Sequence, residues 1–203
     1  IRRERQSVRD QGFRLAMVPG GQADGRMREL MVEYYTRTND RFGPWAARFL
    51  TPDFFHRLPE FIPDAHSFSA AWAPGGGDPF ALSFLLHDNR QLWGRFWGAA
   101  GERRDLHFEV CYYQPMEWAI GRGLDSYDPG PGSEHKVRRG FRAVADCSWH
   151  RFADRRLQGL FEQYIPQFNA RTTEMIDSLN EELPFKRPGG PPATTGDESE
   201  NAQ

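Results

Sequence analysis

A mixed α/β fold is the class this sequence predicts: a mostly antiparallel sheet flanked by helices. Three features carry that prediction. Residues 65–73, 79–87 and 91–97 are strand-like runs joined by short turns at 74–78 and 88–90, so they read as consecutive antiparallel hairpins. Helical periodicity brackets them, over 26–41 before and 154–182 after. With 38% hydrophobic and 14% aromatic residues among 203, the chain has the apolar content for a core of ordinary domain size.

Taken in order, residues 2–10 form a charged helix. The chain opens as if inside a longer helix, so a preceding domain of the same chain is expected. Residues 13–18 follow as a strand closed by Pro19-Gly20-Gly21. In the helix over 26–41, Met27, Leu30, Met31, Tyr34, Tyr35 and Thr38 recur at three- and four-residue steps, and Gly43-Pro44 stops it. Thr51 as N-cap and Pro52 in first position start a shorter helix bearing Phe54, Phe55 and Leu58. After the hairpins, Leu106, Phe108 and Val110 alternate with His107 and Glu109 and read as a strand end, or a strand passing into a helix. Helical spacing then runs over 112–123, with Pro115 in its first turn and Gly121 and Gly123 as stops. A short extended run over 124–127, the turn DPGPGSE, a strand over 142–152 and one or two helices over 154–182, broken at Pro166, complete a domain spanning 1–186. Residues 187–203 have almost no apolar side chains and are expected to be a disordered tail.

LHFEVCYYQPMEWAI followed by YDPGPGSEHKVRRGF resembles the core motif of the FemAB-like proteins, a branch of the GNAT superfamily associated with peptidoglycan biosynthesis in bacteria. The likeness extends back through LWGRFWG and FFHRLPE to IRRERQSVRDQG, and so covers most of the chain. It implies a GNAT-like acyl-CoA N-acyltransferase fold, here the second of two such domains, and transfer of an acyl or aminoacyl group to an amine. The acceptor it implies is a peptidoglycan precursor or related metabolite. Two alternatives stand beside that reading: acyl-CoA-dependent acetylation of a small amine, and a catalytically silent domain that recognises cell-wall precursors.

Acyl transfer to an amine needs a deprotonated amine, a polarised carbonyl and two reactants held close, with no metal or redox cofactor. GNAT-type sites, as the resemblance implies, use backbone N–H groups at a splayed strand with one carboxylate, imidazole or water chain. Glu109 is a candidate carboxylate at a helix start, and reads equally as a capping glutamate. His107, on the same expected strand face, is a candidate base oriented by Glu109, or a hydrogen-bonded structural histidine. Glu134, His135 and Lys136 follow the Gly/Pro turn on an expected loop, where functional residues gather; a solvated charge run is the bland alternative. On an extended loop Glu134 and Lys136 share a side and His135 points away.

Lys136 and Arg139, beside Gly132 and Gly140, suit a phosphate, and the resemblance implies that such a lysine serves the diphosphate of a nucleotide-linked acceptor. Trp93, Arg95 and Trp97 are expected on one strand face; Arg95 and Trp97 there contact a sugar or base, or else fill an aromatic core. Tyr112 and Tyr113 offer a phenolic donor to a tetrahedral intermediate, with one of them facing the core. A Q/R-x-x-G-x-G/A pyrophosphate loop is not recognisable, since GRGL at 121–124 follows a helix instead of opening one. Of the two donor substrates, acyl-CoA and aminoacyl-tRNA, this favours the second.

The formal net charge is −2, and residues 187–203 carry Arg187 against Asp197, Glu198 and Glu200, which leaves the rest neutral. Neutrality argues against a general nucleic-acid binder held by counterion release. Cys111 and Cys147 give neither a disulfide framework nor metal-ligand spacing, and point to a reducing, cytoplasmic setting. No run approaches the roughly 20 apolar residues that cross a bilayer, so no membrane insertion is expected.

Overall fold

The computed structural model describes residues 1–46, 49–132 and 134–185, which fall into two compact units, Ile1–Pro131 and one that begins at Gly132. The expected tail, 187–203, lies outside the described residues.

In the first unit, α1 (Arg2–Asp10) leads into β1 (Arg14–Pro19), α2 (Gly25–Asp40) and α3 (Pro52–Phe61). Asp24 caps α2 by accepting from the Met27 N–H at 2.8 Å. Thr51 occupies the N-cap position of α3 without a side-chain capping bond. Three strands follow, β2 (His66–Trp72), β3 (Ala81–His87) and β4 (Gln91–Ala99), then a helical run and β5 (Ser126–Asp128). Among the described residues they form one five-stranded sheet in the order β1-β2-β3-β4-β5. The first four strands are antiparallel neighbours and β5 joins β4 in parallel. The mixed, mostly antiparallel sheet with flanking helices is the class the sequence predicts.

Strands β2 and β3 are buried on both faces, which explains why they read as apolar runs. On one face Phe68, Ala70, Leu82 and Phe84 pack against Met27, Leu30, Met31, Tyr34 and Tyr35 of α2 and Phe55 and Leu58 of α3. Gly98 allows the closest approach: a Cβ there would lie 2.4 Å from the Tyr34 carbonyl oxygen, so any side chain would push α2 off β4. On the other face Ala71 and Ala81 meet Val8, Phe13, Leu106 and Val110, while Leu85 and Leu92 meet Ala119.

The segment after β4 departs from expectation. Leu106–Val110 is not a strand: α4 (Leu106–Phe108), a π-helical turn (Glu109–Tyr113) and α5 (Gln114–Gly121) form one continuous run. Asp105, at φ 62°, turns the chain sharply just before it. Leu106 and Val110 both reach the sheet because they are four apart on a helix, a spacing that alternation in a short stretch also satisfies. Pro115 is therefore not at the start of the helical run but inside it. An α-helix would have the Cys111 carbonyl accept from the N–H of residue 115, which proline lacks, so the wide turn forms there and the Tyr127 hydroxyl donates to the Cys111 carbonyl instead.

A second departure is a β-bulge. Phe84 pairs with Phe96 and Leu85 with Gly94, leaving Arg95 as the extra residue of β4. Trp93, opposite Leu86, and Trp97, opposite Ser83, therefore lie on opposite faces and not on the common face expected with Arg95.

In the second unit, Glu134–Arg139 is a short 3₁₀-helix rather than an extended loop, and α6 (Arg155–Glu181) closes the described chain. Residues 142–152 form no strand; they are largely exposed, and Ala143 exchanges two hydrogen bonds with the Asn180 side chain in place of a ladder. The break expected at Pro166 is absent, because that residue sits on the solvent side of a helix that continues past it.

Buried His66 and His87 give a pH test of this packing. His66 Nδ1 lies 2.6 Å from the Ile62 carbonyl oxygen and His87 Nε2 lies 3.0 Å from Ser67 Oγ, and burial pushes both imidazoles below their ordinary value. The unfolded chain takes up protons at these residues below about pH 6.5 while the folded chain resists them, so this stabilisation is complete above that pH and is lost below it. The stability advantage of the wild type over His87→Gln, followed by thermal melts, should shrink as pH falls through that range; an advantage that widens instead would refute the assignment.

Candidate functional site

At the C-terminal end of β4 the first unit opens into a pocket of about 440 Å³. Arg37, Thr38 and Arg41 come to it from the end of α2 and just beyond, Trp97 and Ala99 from β4, Gly101 to Arg104 from the following loop, and Leu106 and His107 from α4. Arg37 donates to the Ala99 and Ala100 carbonyls at 3.3 and 2.9 Å and pairs with Glu33. Arg41 pairs with Glu102 at 3.2 Å, Arg104 with Asp105 at 3.5 Å, and Arg103 stacks over the Phe80 ring at 4.7 Å. Four guanidinium groups thus face one mouth, with carboxylates answering three of them; such a field suits an anionic ligand.

His107 lines this pocket with its ring 4.3 Å from that of Trp97 and 5.4 Å from that of Tyr112. Glu109 does not share its side. On a helix residues two apart point away from one another, and Glu109 is buried, its carboxylate 3.0 to 3.2 Å from the Arg5 guanidinium. Arg5 also holds Glu117, at 2.9 Å through Nη2. Burial raises the Glu109 carboxyl above its ordinary value against the pull of Arg5, whereas the bond to Arg5 holds Glu117 below its own. Tyr112 and Tyr113 are both buried, and the Tyr113 hydroxyl donates to Glu4.

Where β4 meets β5, the ladder ends at the pair Trp93 and Asp128. Pro129 cannot extend it, and the Asp128 side chain turns back to accept from the Gly130 N–H at 2.8 Å. Beyond that point residues 95–99 have no strand neighbour on this side among the described residues. The Tyr127 hydroxyl lies against Gly94, where a Cβ would sit 3.1 Å away. Arg95 reaches Asp128 at 3.7 Å.

In the second unit the 3₁₀ turn, at three residues per turn, stacks Lys136 over Arg139 and separates Glu134 from Lys136, reversing the side-sharing expected for an extended loop. Arg139 donates to the His135 carbonyl at 2.9 Å, and burial beside Arg139 and Lys136 lowers the His135 imidazole below its ordinary value.

A family model described as peptidoglycan biosynthesis/recognition, FemAB-like, matches residues 1–187. The chain belongs to the FemAB-like family. Comparison with curated proteins finds no match. Among solved structures, the FemAB-like chain is similar to a probable acetyltransferase at 11% identity, over 70% of this chain and 97% of that one, with a TM-score of 0.46. It is similar to an aminoglycoside N-acetyltransferase in complex with CoA at 12% identity, over 70% and 95%, with a TM-score of 0.43. A putative acetyltransferase from Pyrococcus horikoshii matches at 20% identity over 56% and 36%, with a TM-score of 0.35.

Of the site residues named from sequence, the FemAB-like fold brings His107 and Trp97 to the β4 pocket, buries Tyr112 behind the His107 ring and sends Glu109 and Tyr113 to the α1 side. The pocket arginines escape sequence reading because α2 and the loop after β4 meet only in the fold, although the doublet Arg103-Arg104 between a strand and a helix was a usable signal. Replacing Arg5 with Met strands the Glu109 charge in the interior and should cost about 3 kcal/mol in urea unfolding. Arg5→Met/Glu109→Gln should recover part of that loss, and a double variant no more stable than the single would show that charge is not what Arg5 supplies.

Proposed function

We propose that this FemAB-like chain is an N-acyltransferase domain that moves an acyl or aminoacyl group from an activated carrier to an amine, with a peptidoglycan precursor or related metabolite as acceptor. The observation that carries this reading is the stretch of β4 that, among the described residues, has no strand neighbour on one side and runs into an arginine-lined pocket. A strand edge offers backbone N–H and C=O groups to an extended ligand, and the arginines suit the phosphates that both acyl-CoA and aminoacyl-tRNA carry. The amine nitrogen attacks the acyl carbon, the new C–N bond replaces the C–S or C–O bond to the carrier, and the amine proton passes to a base and then to the departing carrier. His107, lining the pocket, is the base in this scheme, and Glu109 with Arg5 a positioning pair. In the second unit, Lys136 and Arg139 suit the anionic group of a ligand, with Glu134 and His135 on the same turn. Trp97 shapes the pocket wall, Tyr112 backs the His107 ring, and Arg95 lies at the bulge beside Asp128.

A second reading, a silent domain that recognises cell-wall precursors, is favoured by the engagement of Glu109 with Arg5, which leaves that carboxylate turned from the pocket. Incubation with radiolabelled acetyl-CoA or aminoacyl-tRNA and a panel of amines separates the two: label on an amine supports the transferase, and transfer from neither donor supports recognition. For a transferase, Arg103→Ala/Arg104→Ala should raise the donor KM by roughly 10-fold or more at nearly constant kcat. His107→Ala should lower kcat by about 10²-fold. Lys136→Met should weaken binding of an anionic ligand by about 1.5–3 kcal/mol in calorimetry, and wild-type behaviour in all three variants would refute the assigned roles.

A further inference from the structure

Helix α6 has no buried residue, yet an apolar stripe runs its full length. Leu157, Leu160, Tyr164, Phe168 and Met175 are each more than half exposed, at 53, 51, 55, 66 and 57%. Spaced three, four, four and seven residues apart, they share one side of the helix, a seam of the kind that a second helix covers.

Two features of the sequence indicate what that second helix is. The outer part of the stripe is apolar at matched distances on both sides of Phe168: Leu157 and Leu179 are equidistant from it, as are Leu160 and Ile176, and Phe161 and Met175, whereas nearer the centre Tyr164 and Ile165 face Thr172 and Arg171. A face with that property complements itself when a copy lies antiparallel on a two-fold axis through Phe168. The charges follow the same logic. Arg155 and Arg156 open α6 with no acidic residue in the first turn, and Glu174, Asp177 and Glu181 lie toward its end with no basic residue in the last turn. At the start of α6 the capping Asp154 offsets part of that charge by accepting from the Arg156 and Leu157 N–H groups at 2.7 and 3.2 Å, but the acidic C-terminal end is the reverse of what the helix dipole favours, so a lone α6 carries unfavourable charge there. Antiparallel pairing sets the arginine end of each helix beside the acidic end of the other, whereas parallel pairing sets like beside like.

We propose that the chain forms a homodimer through α6, antiparallel and centred on Phe168. Sedimentation velocity of the chain should show a dimer at micromolar concentration. Phe168→Asp, at an exposed position, should give a monomer with unchanged far-UV circular dichroism. Arg155→Glu/Arg156→Glu should also dissociate it, and adding Glu174→Arg/Glu181→Arg should restore the dimer. Orientation is read by oxidative cross-linking in a Cys147→Ser background, where Leu157→Cys should couple to Leu179→Cys in a mixture and not to itself. A chain that stays monomeric up to its solubility limit, a dimer that survives Phe168→Asp, or self-coupling of Leu157→Cys would each overturn the proposal.

Discussion

A carboxylate shut away from water must be answered by a cation, and in the first unit Arg5 answers Glu109. The partners lie 104 positions apart in the chain, so the bond fastens the first helix to the run that covers one face of the sheet. Glu117 shares the same guanidinium and Tyr113 bonds to Glu4 beside it. Around this tie the apolar contacts of Val8 and Phe13 with Leu106 and Val110 become possible, because α1 is held at the distance where those side chains meet. The same tie explains why Glu109 and His107 serve different ends. One anchors a helix from inside; the other faces the pocket.

The two irregularities of the unit, the bulge at Arg95 and the π turn at Glu109–Tyr113, stand on either side of one residue. Tyr127 pairs with Leu92 through its backbone, rests its hydroxyl on Gly94 and bonds with it to the Cys111 carbonyl. The parting of β4 from β5 is therefore fixed from the helix as well as from the Pro-Gly turn. Departures from regular geometry that share a satisfied hydrogen bond hold a definite shape, and an extended ligand laid along β4 would meet a preset opening.

Much of the fold could be read from the chain because its strands and helices bury their faces with ordinary periodicity. The hairpins of β2, β3 and β4 follow alternation and turn chemistry, and α2 follows its Met-Leu-Met-Tyr-Tyr spacing. Reading failed where two periods coincide: Leu106 and Val110 fit a strand and a helix alike, and only the packing of both on Ala71 and Ala81 decides. It failed at Arg95 because one inserted residue leaves no mark on a pattern of period two, yet exchanges the faces of everything beyond it. The candidate site was half visible. His107 and Trp97 belong to stretches whose composition draws notice, whereas Arg37 and Arg41 look like the solvated side of a helix until β4 ends beside them.

The π turn also sets the phase of the helix that follows it. Val110 and Ala119 both touch the sheet, the first against Ala71 and Ala81 and the second against Leu85 and Leu92. On an uninterrupted α-helix their separation amounts to about 180°, which would send one inward and the other to solvent. The wide turn absorbs one residue and brings the angle back to about 80°, so both stay on the inner side. Drawing the turn into regular α geometry with every residue kept would rotate α5 by about 100° about its own axis, carrying Ala119 off Leu85 and Leu92 and, with it, the floor on which β5 is laid.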